Sequence, residues 1–387
     1  MKLRVFSLCL MLFMAQTMMA QLTSLGGIGD SFSTPSNSKI EFHGDYLYAA
    51  SSDGLYRYDL NDSMAGWQKI VTTDSLVVDF EVRGDTINVL TNNQLCTSVD
   101  GGKTTNGISI DAIYPYWNKR EFTGFAVHPS NTNKIHVALR CGLFYTDDGG
   151  KTWVAVDSLM EIVDLTYNPL DEKNLIGYSN YGDANIYVST DGGFIWENAK
   201  GYYISSRTCE SIAFHPTDKN RIMMCGIGNY AISKDQGYTW NTIGHEPINP
   251  DLGIQPLVHI EYILYDPRNP NILYGADWTY HQDGKIPGES PILRSIDGGF
   301  SWDTFYTIDT VYPSGISCMS MKDNMLAICP RWSNEVLLLD VDALESSISS
   351  TQSDAIVTPY YDLMGRPVAH PTRGIYIKDG RKVVIVE

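Results

Sequence analysis

The chain has 387 residues, of which 43% are hydrophobic and 19% are charged, a balance that allows a large packed core and argues against wholesale disorder. Its formal net charge of −17 at pH 7 would repel polyphosphate and anionic lipid, so nucleic acid and membrane surfaces are poor candidates as partners. The 24 Tyr, 8 Trp and 33 Gly favour an all-β protein, because the rings suit half-buried strands and glycine suits tight turns.

Residues 1–20 have the pattern of a signal peptide. Lys2 and Arg4 supply a charged start, an apolar stretch follows, and the small Ala20 precedes an expected cleavage site. The apolar stretch is too short to cross a bilayer, and no later stretch is long enough. We therefore expect a protein that is secreted, periplasmic or on the cell surface, with no membrane span.

A repeated turn motif, which we call the box, organises the rest of the chain. Each box has Ser or Thr, then Asp two residues later, then one or two glycines, and four of the five end in Trp; the boxes lie at 98–104, 146–153, 189–196, 233–240 and 295–302. They recur roughly every 45 residues, with one longer step of about 60, which fits one four-stranded propeller blade per box.

The chemistry of the box indicates a structural turn. A short Asp side chain can accept hydrogen bonds from backbone N–H groups one to three residues further on, and glycine adopts the positive φ that such a turn requires. The Trp opens the next strand, where its large apolar surface can pack against the neighbouring blade. The box aspartates are therefore predicted to stabilise the fold and not to catalyse.

Seven blades are predicted in chain order. Five carry a box after their third strand, and two lack one, at 38–70 and 315–344. The last blade has only three predicted strands, so we expect the segment around Gln21–Gly26 to supply its outer strand and close the ring, which removes an exposed sheet edge. The fold class is thus an all-β, seven-bladed β-propeller over 21–344, closed by the mature N-terminal strand.

The chain beyond the propeller changes in composition. Residues 345–358 are rich in Ser and Thr and are predicted to be a linker, and residues 359–387 are predicted to form a short three-stranded β appendage. Two cysteine pairs lie symmetrically about predicted hairpin turns, Cys209 with Cys225 and Cys318 with Cys329. Each pair could oxidise in an exported protein or could stay as buried thiols.

The repeats resemble those of BNR/Asp-box propellers. The fullest match runs from Ala126-Val-His-Pro129 through Gly142-Leu-Phe144 to the box ending at Trp153. Sortilin-type receptors, family 74 xyloglucanases and photosystem II assembly factors are similar in style, so the resemblance implies the fold and leaves receptor, enzyme and scaffold open. The tail, with its YDLMGRPV, GIYI and KVVIV stretches, resembles type IX sorting segments of exported Bacteroidetes proteins.

Function is expected on the face of the propeller opposite the boxes, the box-free face. There the loops joining strands two and three, and those joining successive blades, surround the mouth of the central channel. These loops carry aromatic rings that could stack on sugars and arginines that could hold a carboxylate. The predicted substrate-binding residues are Arg140, Arg207, Arg331, Trp278, His281, Tyr181, Tyr203 and Trp332.

A glycoside hydrolase would need two carboxyl groups flanking the glycosidic bond, one protonated and one ionised. The candidate catalytic residues are Asp277, Glu261 and Asp183, with Glu210 and Asp79 in reserve; each also suits a plain hydrogen-bonding role at the rim. The eight His and the cysteines show no metal-ligand spacing, so no metal and no cofactor are expected.

Two functions follow from these observations. The first is an exported propeller that binds, and in an enzymatic version hydrolyses, a carbohydrate at its box-free face, with a glycan or glycoconjugate, acidic ones included, as the partner. The second is a non-catalytic scaffold that recognises a peptide or protein. Two carboxylates beside Trp278 and an arginine would favour hydrolysis, and an aromatic surface without paired acids would favour binding.

Overall fold

The structure is a computed structural model that describes residues 22–28, 39–113, 121–157, 162–179, 185–201, 209–226, 229–243, 260, 262–276, 289–309, 315–331, 333–346, 360–361, 367–368, 374–378 and 381–385. These residues divide into two compact units, one over Leu22–Leu339 and one that contains the tail from Asp340 onwards.

The first unit is a seven-bladed β-propeller in which each blade is a four-stranded antiparallel sheet. Blades one and two consist of β2 (Ile40–His43), β3 (Tyr46–Ser51), β4 (Gly54–Asp59) and β5 (Trp67–Thr72), then β6 (Val77–Arg83), β7 (Thr86–Thr91), β8 (Gln94–Ser98) and β9 (Asn106–Ser109). A single-turn helix, α1 (Ile110–Ile113), follows β9. Blades three and four consist of β10 (Phe122–Val127), β11 (Ile135–Leu139), β12 (Gly142–Thr146) and β13 (Val154–Asp157), then β14 (Asp164–Asn168), β15 (Asp171–Ser179), β16 (Asn185–Ser189) and β17 (Glu197–Asn198).

The remaining blades follow the same strand order. Blades five and six consist of β18 (Cys209–Phe214), β19 (Ile222–Gly226), β20 (Asn229–Ser233) and β21 (Asn241–Ile243), then β22 (Tyr262–Tyr265), β23 (Leu273–Ala276), β24 (Glu289–Ser295) and β25 (Asp303–Asp309). Blade seven consists of β26 (Ile316–Lys322), β27 (Met325–Pro330), β28 (Glu335–Asp340) and, from the start of the described chain, β1 (Leu22–Gly27).

Burial across each blade explains the composition of its strands. Central strands such as β11 are buried along their whole length, because both of their faces pack against neighbouring blades. Outer strands such as β9 and β17 are mostly exposed. The described hydrophobic clusters each join two adjacent blades, for example one that combines Ile176 of blade four with Met224 of blade five. The core of the propeller is therefore a ring of interfaces between blades.

The ring closes as the sequence predicts. β1 pairs antiparallel with β28, with Leu22 opposite Leu339 and Thr23 opposite Leu338, so the N-terminal strand completes the last blade. The inner strands β26 and β2 also lie against each other across the closure. A shared cluster of buried side chains, including Ile40 and Val336, then joins blade seven to blade one.

Each box is a hydrogen-bonded turn built around its aspartate. In the third blade, Asp148 Oδ1 accepts from the N–H groups of Lys151 and Thr152 at 2.9 and 3.0 Å, and its Oδ2 accepts from the Thr152 hydroxyl at 2.7 Å. The donors are three and four residues further on, slightly farther than the sequence analysis expected. Because these donors favour the ionised form, the pKa of Asp148 is lowered to about 2.

The last glycine of each box touches the preceding blade. A Cβ atom on Gly237 would lie 2.4 Å from Ile176 Cδ1, and one on Gly299 would lie 2.6 Å from Met223 Cε. The box Trp follows the same course: Trp240 donates its indole N–H to the carbonyl of Gly237 at 2.8 Å and packs in the cluster between blades four and five. The box thus fastens successive blades as well as turning the chain.

The second unit contains a small sheet of its own. Its strands are β29 (Tyr360–Tyr361), β30 (Pro367–Val368), β31 (Gly374–Lys378) and β32 (Arg381–Ile385), in the order β30-β29-β31-β32. The appendage therefore has four strands where three were predicted, because the first predicted segment supplies two short strands that pair with each other. Residues 341–346 are helical.

Candidate functional site

The boxes and the turns between strands one and two lie on the same face of the propeller. The N–H of Gly149 in the third box donates to the carbonyl of Asn133 at 3.0 Å, and that of Gly298 in the last box donates to Asn271 at 2.9 Å. Both acceptors lie just before the second strand of their own blade. Each inner strand therefore ends at the box face, and its first residues lie at the box-free end of the central channel.

A cavity of about 330 Å³ lies at this end of the channel. Its lining comes from the first and middle residues of inner strands in blades one to six or from the residues just before them, together with Tyr178 of β15; the lining residues are Lys39, Val78, Asp79, Glu81, Thr123, Phe125, Val163, Asp164, Leu165, Thr166, Tyr178, Ser211, Ile212 and Tyr262. The wall combines carboxyl groups, an ammonium group, hydroxyls and aromatic rings. Its volume is at the lower end of the range of small-molecule pockets.

Lys39 connects the adjacent blades one and two beside the channel. Its Nζ donates to Asp79 Oδ1 at 2.8 Å and to the carbonyl oxygen of Phe80 at 2.7 Å. Burial opposes the charge of Lys39, but the carboxylates of Asp79, Glu41 and Glu81 outweigh that effect and raise the pKa of Lys39 above its usual range. Lys39 is therefore a fixed ammonium group whose hydrogen bonds hold Asp79 in place.

Two further carboxyl groups of the channel bind protons more tightly than usual. Burial raises the pKa of Asp164 to about 8, and the nearby charge of Asp79 adds to the effect. Burial raises the pKa of Glu81 to about 7, although Arg83 lies 2.9 Å from its Oε2 and the N–H of Val127 donates to its Oε1 at 3.0 Å. At neutral pH, Asp164 is thus mainly protonated and can donate one hydrogen bond, while its Oδ1 accepts from the N–H of Leu165 at 2.8 Å; Glu81 is near its midpoint.

These groups give the cavity a defined chemistry. It presents a proton donor at Asp164, a lysine-bound carboxylate at Asp79, and hydroxyls from Thr and Ser, beside the rings of Phe125 and Tyr262. A polyhydroxylated ligand could exchange hydrogen bonds with such a wall and pack an apolar face on its rings. Among the described residues, no cluster of His, Cys, Asp and Glu is arranged to hold a metal ion.

Two of the predicted site residues lie in the described part of the chain. Arg140 follows β11 and Arg331 follows β27, both at connections between strands two and three on the box-free side. The Nε of Arg140 lies 2.9 Å from Glu121 Oε2, so this guanidinium already has a carboxylate partner. The N–H of Arg331 donates to the carbonyl of Gly315 at 3.0 Å.

The other predicted residues lie outside the described residues; they are Asp277, Glu261, Asp183, Arg207, Trp278, His281, Tyr181, Tyr203 and Trp332. Of the two reserve carboxylates, Asp79 lines the cavity. For Glu210, the structure describes the backbone in β18 and not the side chain.

Sequence reasoning missed Lys39, Glu81 and Asp164. Lys39 directly precedes an inner strand, Asp164 begins one, and Glu81 lies on the channel side of β6. An alignment of the blades on the first residues of their inner strands would have revealed these charged side chains. At the equivalent positions other blades carry uncharged residues such as Thr123 or Ser211. The signal was present, but it required the blades to be aligned on their inner strands instead of on their boxes.

Searches against known proteins support the fold. No protein-family model matches the chain, and no curated protein is detectably similar to it in sequence. Among solved structures, the GH74 xyloglucanase from Xanthomonas campestris is similar at a TM-score of 0.60 and 17% identity, over 81% of this chain and 52% of that one. The chain therefore spans about half the length of that enzyme.

Two further solved structures are matched by this chain over nearly their whole length. YCF48 bound to D1 peptide is similar at a TM-score of 0.56 and 17% identity, over 80% of this chain and 93% of that one. The Pan2 WD40 domain of Neurospora crassa is similar at 0.52 and 10% identity, over 82% and 94%. At these identities the likeness establishes a seven-bladed β-propeller and nothing about activity. Within the described part of the chain, no helix is long and apolar enough to cross a membrane.

Proposed function

We propose that this propeller binds a carbohydrate at the box-free end of its channel. The main support for this proposal is the cavity, in which hydroxyl, carboxyl and ammonium groups and aromatic rings surround a space of about 330 Å³. Sugars offer many hydroxyl groups and one apolar face, which matches this mixture. The fold likeness to a xyloglucanase supports the proposal without establishing it.

The charges of the cavity favour a neutral glycan over an acidic one. Three carboxyl groups, those of Asp79, Glu81 and Asp164, face one ammonium group, that of Lys39. Arg140, one of the arginines expected to hold a carboxylate, is already bound to Glu121. At neutral pH, Asp164 is mainly protonated and the ammonium group of Lys39 is already bound to Asp79, so the channel offers an anionic sugar no free positive charge, on a protein whose overall charge is −17.

Calorimetric titration of neutral oligosaccharides against three variants would test this proposal. Asp79→Asn should weaken binding roughly 10-fold, because it removes the charged partner of Lys39. Asp164→Ala should do the same, whereas Asp164→Asn should bind nearly normally at neutral pH, because its amide still donates a hydrogen bond. Glu197→Gln, on the exposed outer strand β17, is the matched control. Equal affinities for all the variants would contradict a channel site.

Hydrolysis is a further step that the same experiment can detect. If the bound oligosaccharide is cleaved, product analysis will show shorter sugars, and the loss of cleavage in variants of Asp277, Glu261 or Asp183 would assign the reaction to the predicted acids. Binding without products would support the non-enzymatic version of this function.

Recognition of a peptide is the second candidate. It is supported by the likeness to YCF48 bound to D1 peptide, a chain of which 93% is covered, against 52% for the xyloglucanase. The carboxyl groups of the channel could accept hydrogen bonds from a basic side chain of such a peptide. Binding of a Lys- or Arg-containing peptide that depends on Asp79, together with no response to any glycan, would favour this candidate.

We also propose that the chain is exported and that its tail is a sorting segment. The basic start and apolar stretch of residues 1–20 support export, and the resemblance of residues 359–387 to type IX segments supports sorting. N-terminal sequencing of the mature protein should give Gln21, and removal of 359–387 should change where the protein accumulates. An unprocessed N-terminus would refute the export signal.

A further inference from the structure

Cys318 and Cys329 lie directly opposite each other on the inner two strands of blade seven. The register of β26 and β27 pairs them as cross-strand neighbours, and their thiols are in hydrogen-bonding contact. Opposite residues of an antiparallel pair have Cα atoms about 4.5–5.5 Å apart, which is inside the range that a disulfide accepts. The other predicted pair differs, because Cys209 is opposite Gly226 and Cys225 is opposite Ser211.

We propose that Cys318 and Cys329 form a cross-strand disulfide in the β26–β27 hairpin before the propeller ring closes. The inference goes beyond the proposed ligand site and relies on the expected export only for an oxidising compartment. In this structure the two cysteines are free thiols, so the structure describes the reduced form of the pair.

The order of events follows from burial and topology. In the closed ring, Cys318 and Cys329 are 1% and 0% exposed, in the cluster that joins blades seven and one. Burial also raises the pKa of the Cys329 thiol, so the reactive thiolate is scarce after folding. A hairpin with a tight turn at Asp323 forms quickly, whereas closure by β1 joins distant parts of the chain and is slow.

The oxidation is a thiol–disulfide exchange with a small-molecule disulfide such as oxidised glutathione. The thiolate of one cysteine attacks that disulfide, releases one glutathione thiolate and forms a mixed disulfide. The second cysteine loses its proton and attacks the mixed disulfide, which releases the second glutathione. Two protein thiols are thereby oxidised to one disulfide, and one oxidised glutathione is reduced to two thiols.

The test compares refolding with exposure of the folded protein, in the same glutathione buffer. Protein that is refolded from the unfolded, reduced state should have two fewer alkylatable thiols than the fully reduced protein. Trypsin, which cuts after Lys322, should release from it two peptides linked through Cys318 and Cys329. Already folded, reduced protein should form this link at least ~10-fold more slowly, because the thiols are buried. The linked form should also melt a few degrees higher than the reduced form.

Cys318→Ala is the matched variant, and after unfolding and reduction of any glutathione adduct it should yield Cys329 as an alkylatable thiol with no linked peptide, whichever way the protein was refolded. If that variant does not fold, peptide mapping of the wild-type protein decides alone. Refolded protein without the linked peptide, or with Cys225 in the link instead, would overturn the proposed pair. Equally fast oxidation of folded and refolding protein would overturn the proposed order of events. None of these readouts depends on glycan binding, so the ligand proposal can fail without affecting this one.

Discussion

His136 is a fully buried histidine at the interface between blades three and four, and replacing it should change how stability depends on pH. Its Nδ1 lies 3.0 Å from the Tyr167 hydroxyl, and its ring packs on Tyr145 and Phe194. The box of the next blade presses on its other side, since a Cβ on Gly193 would lie 2.5 Å from Nε2.

Burial lowers the pKa of His136 to about 4, from an ordinary value near 6.5. The unfolded chain therefore binds more protons than the native state between about pH 6.5 and 4, and stability falls as the pH falls through this window. The difference between these two pKa values corresponds to about 3 kcal/mol of the free energy of unfolding, which is fully lost only below pH 4.

His136→Met removes this pH dependence. The fold already has Met at the equivalent position of another blade, because Met223 contacts the box glycine Gly299 of the following blade as His136 contacts Gly193. We expect the variant to lose some stability at about pH 7, where the Tyr167 hydroxyl loses its partner, but to lose less than the wild type on acidification. Thermal unfolding should be measured at several pH values. Between pH 7 and pH 4, the melting temperature of the wild type should fall by on the order of 5 °C more than that of the variant. Parallel curves for the two proteins would refute the reasoning, because the other titrating groups are common to both.

Three other perturbations test the architecture and the channel. Gly237→Ala should cost about 1–3 kcal/mol more than Gly84→Ala in urea unfolding, because both have positive φ but only Gly237 faces a close contact, with Ile176; equal costs would contradict the blade-fastening role of the box. Deletion of β1 should leave β28 as an open edge and produce aggregation or dimers in size-exclusion chromatography, and a stable monomer would argue against closure by this strand. Asp164→Asn should become progressively more stable than wild type as the pH rises from about 4 to 8. In the wild type, native Asp164 keeps its proton in this range whereas the unfolded chain releases it, so raising the pH destabilises the wild type and not the variant. A constant difference between the two melting temperatures would show that Asp164 titrates normally.

The fold could be predicted from the sequence because its repeated unit is local. Each box needs only a Ser or Thr, an Asp and a glycine within five positions, and their hydrogen bonds form within one turn, as Ser295, Asp297 and Gly299 illustrate. The spacing between boxes then determines the blades, and the missing strand of the last blade predicts closure by the N-terminus. Because these local and long-range constraints agree, the architecture could be predicted from the sequence.

The channel could not be predicted in the same way because its residues come from separate blades. Lys39, Asp79 and Asp164 have no common local motif, and each is an ordinary charged residue near a strand end. They meet only because a closed ring directs the starts of its inner strands to one point. The sequence analysis expected function at the same end of the channel as this cavity but ranked long loops above strand ends, since loops usually carry function.

The cost of the channel charges is itself an argument that they serve a function. Burial raises the pKa values of Glu81 and Asp164, which means that folding disfavours the ionised form of both groups at neutral pH. Other blades place uncharged residues such as Thr123 at the same end of the channel, so the blade itself does not require a carboxyl group there. The N–H of Val127 and the guanidinium of Arg83 give Glu81 a structural role as well, but these contacts do not restore its ordinary pKa. Titratable groups with shifted pKa values around a cavity are typical of sites that bind or transform a ligand, and this arrangement is the physical reason for proposing the ligand site here instead of on the box face.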